Sequence, residues 1–189
     1  YEVDAPGTQE QKKTVLQKAT SINLEDRDGS WLPVFVACDF ETENWLECLR
    51  LRGFDDSLPT LVIWEGVTMY LPLSVIRSTL DIVSNRGGGL DVEGTNESSL
   101  PTPWYIAFDY LSPKWASSAI WKLAMSYAKE PFQSSFGKDE IEVFLTSTGL
   151  DIVEHLTGES GIVHEIDGKD HGSMMRLGNY GGFVVAKSK

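Results

Sequence analysis

The sequence predicts an α/β fold: a mostly parallel sheet with an antiparallel edge at its C-terminal end. Three observations carry this. Strand and helix signals alternate at least three times along the chain. Thr60–Trp64 is continuously apolar, which is how a parallel strand covered on both faces reads. The last two strand signals, Leu150–Leu156 and Gly182–Lys187, are joined without a convincing helix, so they are suited to antiparallel pairing. At 189 residues with 41% hydrophobic content, the expectation is a single domain over 1–189.

The chain opens at Tyr1 on YEVDAP, which reads as the end of a strand already under way. Thr8–Ala19 reads as a helix, with Thr8 as its cap and Gln11 three residues on. Leu32–Ala37 is valine-rich and short, a strand. Thr42–Leu51 carries Trp45, Leu46 and Leu49 on one helical face, with Gly53 just past its end. Leu73–Ser84 is a helix entered through Pro72. The polar stretch 86–104, with its Gly87–Gly89 triplet, is expected to be a flexible loop. Tyr105–Tyr110 is a strand, Lys114–Ala128 an aromatic helix, and Lys138–Thr148 a helix ending at Gly149.

Charge narrows the partners. Asp and Glu number 28 against 16 Lys and Arg, a formal net charge of -12. That speaks against a nucleic-acid or anionic-membrane surface. No apolar run is long enough to span a bilayer and no leader pattern is visible, so a cytoplasmic location is expected. Cys38 and Cys48 do not make a disulfide framework.

Ligands of open parallel sheets bind outside the carboxyl ends of the strands. Four strand ends carry acidic residues: Asp4, Asp39, Glu65 and Asp109. Asp4 suits a pair of ribose hydroxyls, Asp39 either a ligand or a helix cap, and Phe40 either a flat ring or the core. Glu65 follows the strand expected to be most buried and precedes Gly66, where the chain can turn. Burying it requires a partner, either a ligand ammonium or a structural hydrogen-bond donor. No metal site is expected, because His155, His164 and His171 lack ligand spacing; Cys38 reads as a buried thiol. No phosphate loop and no nucleophile elbow is present. Trp115 and Trp121 suit either the roof of a pocket or plain packing.

Several stretches together carry a resemblance: YEVDAP with Lys12 and Lys13, VFVACDFE at Val34–Glu41, and above all GFDDSLPTLVIWEGVTMYL at Gly53–Leu71. IAFDY at Ile106–Tyr110 and KDEIEVFLTSTGLDIVE at Lys138–Glu154 follow in order. The chain resembles the leucine carboxyl methyltransferase family, S-adenosylmethionine-dependent enzymes with a Rossmann-like methyltransferase sheet. The resemblance implies S-adenosyl-L-methionine as cofactor. It assigns Asp4 to the cofactor ribose, Asp39 and Phe40 to the adenine, and Glu65 to the methionyl part. Tyr70 is then the residue expected to line the catalytic cleft on the substrate side, and 112–135 a helical cover over the substrate pocket. The resemblance also implies an N-terminally incomplete domain, without the family's first strand, its G-x-G-x-D loop and the first helix. The expected reaction is in-line methyl transfer to a carboxylate or hydroxyl oxygen of a small molecule. The alternatives are an inactive methyltransferase-like chain that binds a partner, methylation of a protein C-terminal leucine carboxylate, and a nucleotide-dependent oxidoreductase.

Overall fold

A computed structural model describes residues 1–20, 32–86, 103–128, 131–157, 165–166, 169–170 and 180–189. These form two units, Tyr1–Leu58 and Pro59–Lys189. The loop expected at 86–104, except its ends, and the residues His164 and His171 lie outside the described residues.

The first unit contains strand β1 (Glu2–Asp4), helix α1 (Pro6–Thr20), strand β2 (Phe35–Ala37) and helix α2 (Trp45–Arg50). β1 and β2 run parallel with Glu2 opposite Phe35 and Asp4 opposite Ala37. Parallel neighbours need a crossover, and α1 lies within it. α1 is fastened by Gln9, only 1% exposed, whose Nε2 donates to the carbonyls of Glu2 (3.3 Å) and Val36 (3.1 Å). α1 begins at Pro6 rather than capping at Thr8, because proline fits the first turn, where an N–H would have no helical acceptor. α2 also starts later than its pattern suggests. The Thr42 and Glu43 amides donate to the Asp39 carbonyl (3.1 and 2.8 Å), which makes a turn of them. Asn44 then caps α2, its side chain accepting from Leu46 N (3.0 Å) and Glu47 N (3.4 Å). Val36, Cys38, Trp45, Leu46 and Leu49 are buried.

The second unit contains β3 (Leu61–Trp64), a 3-10 turn (Thr68–Tyr70), α3 (Leu73–Ser84), β4 (Tyr105–Leu111), α4 (Pro113–Ala116) and α5 (Ala119–Ala128). After these come α6 (Lys138–Ser147), β5 (Asp151–Thr157), β6 (Glu165–Ile166), β7 (Lys169–Asp170) and β8 (Gly181–Lys187). Four strands form one mixed sheet in the order β3-β4-β8-β5. β3 and β4 are parallel, and β8 runs antiparallel to both β4 and β5. The antiparallel edge is thus present, with β8 inserted between β4 and β5. This is a Rossmann-like α/β arrangement.

Two expectations need correction. β3 is an edge strand of this sheet, and its alternate residues Leu61 and Ile63 are 59% and 71% exposed while Trp64 is 5% exposed. A continuous apolar run therefore does not mean burial on both faces here. The expected helix Lys114–Ala128 is two helices, α4 and α5, separated at Ser117 and Ser118. Ser117 Oγ donates to the Lys114 carbonyl (3.1 Å), a local bond that competes with helix propagation.

One half-buried network ties the sheet to α6. The Tyr110 hydroxyl reaches His155 Nε2 (2.8 Å), and His155 Nδ1 reaches Glu142 Oε1 (2.7 Å). With Nδ1 donating to the Glu142 carboxylate and Nε2 accepting from the Tyr110 hydroxyl, all three groups are satisfied. Burial, reinforced by the Glu142 charge, pushes the Tyr110 hydroxyl up to about 12. Tyr110 lies on β4 and His155 on β5, so the tyrosine crosses β8 to make this bond. It crosses at Gly182, where a Cβ would come 2.5 Å from the Leu156 carbonyl oxygen and 2.7 Å from the Tyr110 hydroxyl.

Gly182→Ala is therefore expected to destabilise the protein by about 2 kcal/mol or more, since backbone must move to admit one methyl group. Denaturant melts of the variant and the wild type measure this; superimposable curves would contradict it.

Candidate functional site

In the first unit, the two acidic strand ends come together. The Cys38 amide donates to the Asp4 carbonyl (2.9 Å), extending the β1–β2 ladder by one rung. Asp4 and Asp39 consequently leave the carboxyl ends of adjacent parallel strands. Asp4 is half-buried; its Oδ1 accepts from the Ala5 amide (2.8 Å) and its Oδ2 from Lys12 Nζ (3.3 Å). Lys12 also pairs with Glu2, and these bonds raise the lysine pKa above its ordinary value. Asp39 is exposed, and its Oδ1 accepts from the Glu41 amide (3.0 Å). Phe40 beside it is half-buried. Cys38 is fully buried, and burial pushes its thiol up to about 12, which removes it as a free nucleophile at neutral pH.

In the second unit the site is built around Asp109. Register places Trp64 opposite Phe108, so Glu65 and Asp109 stand side by side at the end of the β3–β4 pair. Glu65 is exposed; Asp109, at 4% exposure, is the buried carboxylate of the two. The chain turns at Gly66 with φ +69°, a left-handed conformation that glycine adopts without penalty. That turn aims the Gly66 amide at Asp109 Oδ1 (2.7 Å). The Tyr180 hydroxyl faces the same carboxylate closely enough to favour its charged form. Burial raises the Asp109 pKa above the usual carboxylate range, and the Glu65 charge adds to that. The Gly66 amide and the Tyr180 hydroxyl oppose the rise by bonding the charged form. Tyr180 is raised in turn, first by burial and then by the Asp109 charge.

Tyr70 is held from the other side of the Gly66 turn. Thr68 Oγ1 donates to the Asp109 carbonyl (2.6 Å), and Ser134 Oγ to the Thr68 carbonyl (2.7 Å). The Gln133 side chain donates to the Tyr70 carbonyl (2.6 Å). The Tyr70 ring lies 5.7 Å from that of Phe132, and its hydroxyl is 4.0 Å from Met125 Sδ on α5. The segment 112–135 therefore borders Tyr70. Trp115 contributes an edge-on contact to Tyr180 (5.2 Å); the side chain of Trp121 lies outside the described residues. Tyr180 was not singled out from the sequence. Its only signal there is its place just before the last strand.

A family model described as leucine carboxyl methyltransferase matches residues 1–84. A putative S-adenosyl-L-methionine-dependent methyltransferase of Mycolicibacterium vanbaalenii is 37% identical over 84 residues, 44% of this chain and 26% of that protein. One from Mycobacteroides abscessus is 29% identical over 117 residues, 60% of this chain and 37% of that protein. The chain thus spans well under half the length of these curated relatives. A DUF574 family protein of Streptomyces avermitilis shares the fold, with a TM-score of 0.53 at 17% identity over 82% of this chain and 55% of that one. The chain is related to the methyltransferase superfamily that includes the leucine carboxyl methyltransferases.

The Asp109 geometry has a pH signature. A carboxyl whose folded pKa lies above its unfolded value contributes stability that is complete below the unfolded value, here near 3.8. That contribution is lost as pH rises through the folded value. Asp109→Asn keeps an acceptor for the Gly66 amide and removes the charge. Urea melts at stepped pH are expected to show the wild type losing stability relative to this variant as pH rises from about 3 to 7. Parallel pH profiles would contradict the reading.

Proposed function

We propose that this chain is part of an S-adenosyl-L-methionine-dependent methyltransferase that methylates an oxygen, carboxylate or hydroxyl, of a small molecule. The observation that carries the reading is the extent of the family match. Residues 1–84 enclose Asp4 at the end of β1, Asp39 and Phe40 after β2, Glu65 just after β3, and Tyr70 in the 3-10 turn that follows.

The residues suit the cofactor chemically. In the first unit, Asp4 and Asp39 offer carboxylate acceptors at the ends of parallel strands, for ribose hydroxyls and for the adenine amine respectively. Phe40 offers a half-buried aromatic wall for the flat base. In the second unit, exposed Glu65 offers a charge for the methionyl ammonium, and Asp109 fixes the turn that presents it. The cofactor supplies an activated methyl group on a sulfonium. The protein's part is to bind and orient, because a carboxylate nucleophile is already ionised at neutral pH and needs no general base. Tyr70 acts on the substrate side, by hydrogen bonding through its hydroxyl or by forming a wall. No helix among the described residues is long and apolar enough to cross a membrane, and a cytoplasmic setting suits such an enzyme.

A second reading, a methyltransferase-like chain that acts by binding a partner, draws support from the exposed Leu61 and Ile63 on an edge strand. Methylation of a protein C-terminal carboxylate remains a third.

Incubation with methyl-labelled S-adenosylmethionine separates them. Label is expected in base-labile esters or in ethers of small acids and phenols. Tyr70→Phe is expected to lower turnover about tenfold with cofactor affinity unchanged, the loss of one hydrogen bond in the transition state. Transfer only to a leucine-terminated protein would support the third reading, and no transfer to any acceptor by folded protein the second.

A further inference from the structure

One cluster takes no part in the chemistry above. It lies in the first unit, where β2 leads into α2. Cys38 Sγ, Cys48 Sγ and a carboxylate oxygen of Glu43 all lie within 4.8 Å of one another. We infer that Cys38, Glu43 and Cys48 form a binding site for one thiophilic divalent cation of the zinc class, with water in the fourth position.

Local structure explains how three residues so spaced converge. Cys38 is held at the end of the strand ladder by its amide bond to the Asp4 carbonyl (2.9 Å). The turn closed by the Thr42 and Glu43 amides on the Asp39 carbonyl folds Glu43 back toward the strand end. The Asn44 cap then starts α2 so that Cys48 falls in its first turn, its amide donating to the Asn44 carbonyl (3.1 Å). A tetrahedral site with metal–sulfur bonds near 2.3 Å and metal–oxygen bonds near 2.1 Å needs ligand atoms roughly 3.5–3.8 Å apart. Reaching that spacing from a 4.8 Å spread is a closure of about 1 Å.

The donor set selects the cation. Two sulfurs and one carboxylate match zinc or cadmium, whereas magnesium and calcium take oxygen shells. Glu43 is already oriented, because the Asp39 amide donates to its Oε2 (2.8 Å); ligating carboxylates commonly have such a supporting bond. Access is open on one side: Cys38 is fully buried, Cys48 half-buried and Glu43 exposed. Binding converts both thiols to thiolates and releases two protons.

The test uses the full chain, reduced with a phosphine and titrated with Cd(II), then with Zn(II) in competition. The ultraviolet thiolate-to-cadmium band is expected to saturate at one equivalent with the intensity of two thiolates. Two protons are released, and both cysteines are protected from a thiol reagent. Cys48→Ser, or Cys48→Ala should the serine variant fail to fold, is expected to halve the band and weaken binding by about a hundredfold or more. Glu43→Gln is expected to keep the two-thiolate band and weaken binding about tenfold. Absence of the band in folded, reduced wild type would overturn the site. So would cadmium affinity unchanged in the Cys48 variants, which would assign the ion to other residues, or unchanged in Glu43→Gln.

Discussion

The second unit is organised by one buried charge. Asp109 sits at 4% exposure, where a carboxylate without donors would be expensive. The Gly66 amide meets it at 2.7 Å, and only the left-handed turn at Gly66 brings that amide round. The same turn sends Glu65 to the surface and starts the short 3-10 segment that carries Tyr70. Thr68 then bonds back to the Asp109 carbonyl (2.6 Å), and Ser134 and Gln133 bond onto the segment from outside. Asp109 thus fixes the turn, and the turn fixes where Glu65 and Tyr70 stand.

Much of this was legible in the sequence where a local rule decides the outcome. Leu73–Ser84 is a helix with the bounds its apolar spacing gives, and Ile76, Leu80 and Val83 are its buried face. Glycine after Glu65 announced a turn, and the turn is there. The acidic strand ends Asp4 and Asp39 follow from strand boundaries that valine-rich and apolar runs mark well.

What escaped is set by neighbours far away in sequence. Apolar content marks β3 as a strand but does not reveal its place at the edge of its sheet, so the exposure of Leu61 and Ile63 had no local signal. Which of Glu65 and Asp109 would be buried depended on register across the β3–β4 pair. The Tyr110–His155–Glu142 network requires β8 to lie between β4 and β5 with a glycine under the tyrosine, a condition of strand order. Cys38 and Cys48 look unrelated along the chain, and only the Asp39 turn and the Asn44 cap bring their sulfurs near one carboxylate.

Calorimetric titration of the folded chain with S-adenosylmethionine tests whether it binds that cofactor. One-to-one micromolar binding is expected, weakened roughly tenfold to a hundredfold by Asp39→Asn or Glu65→Gln, the loss expected when a charge-assisted hydrogen bond is removed. No heat of binding from protein shown to be folded, or an affinity indifferent to both substitutions, would contradict it.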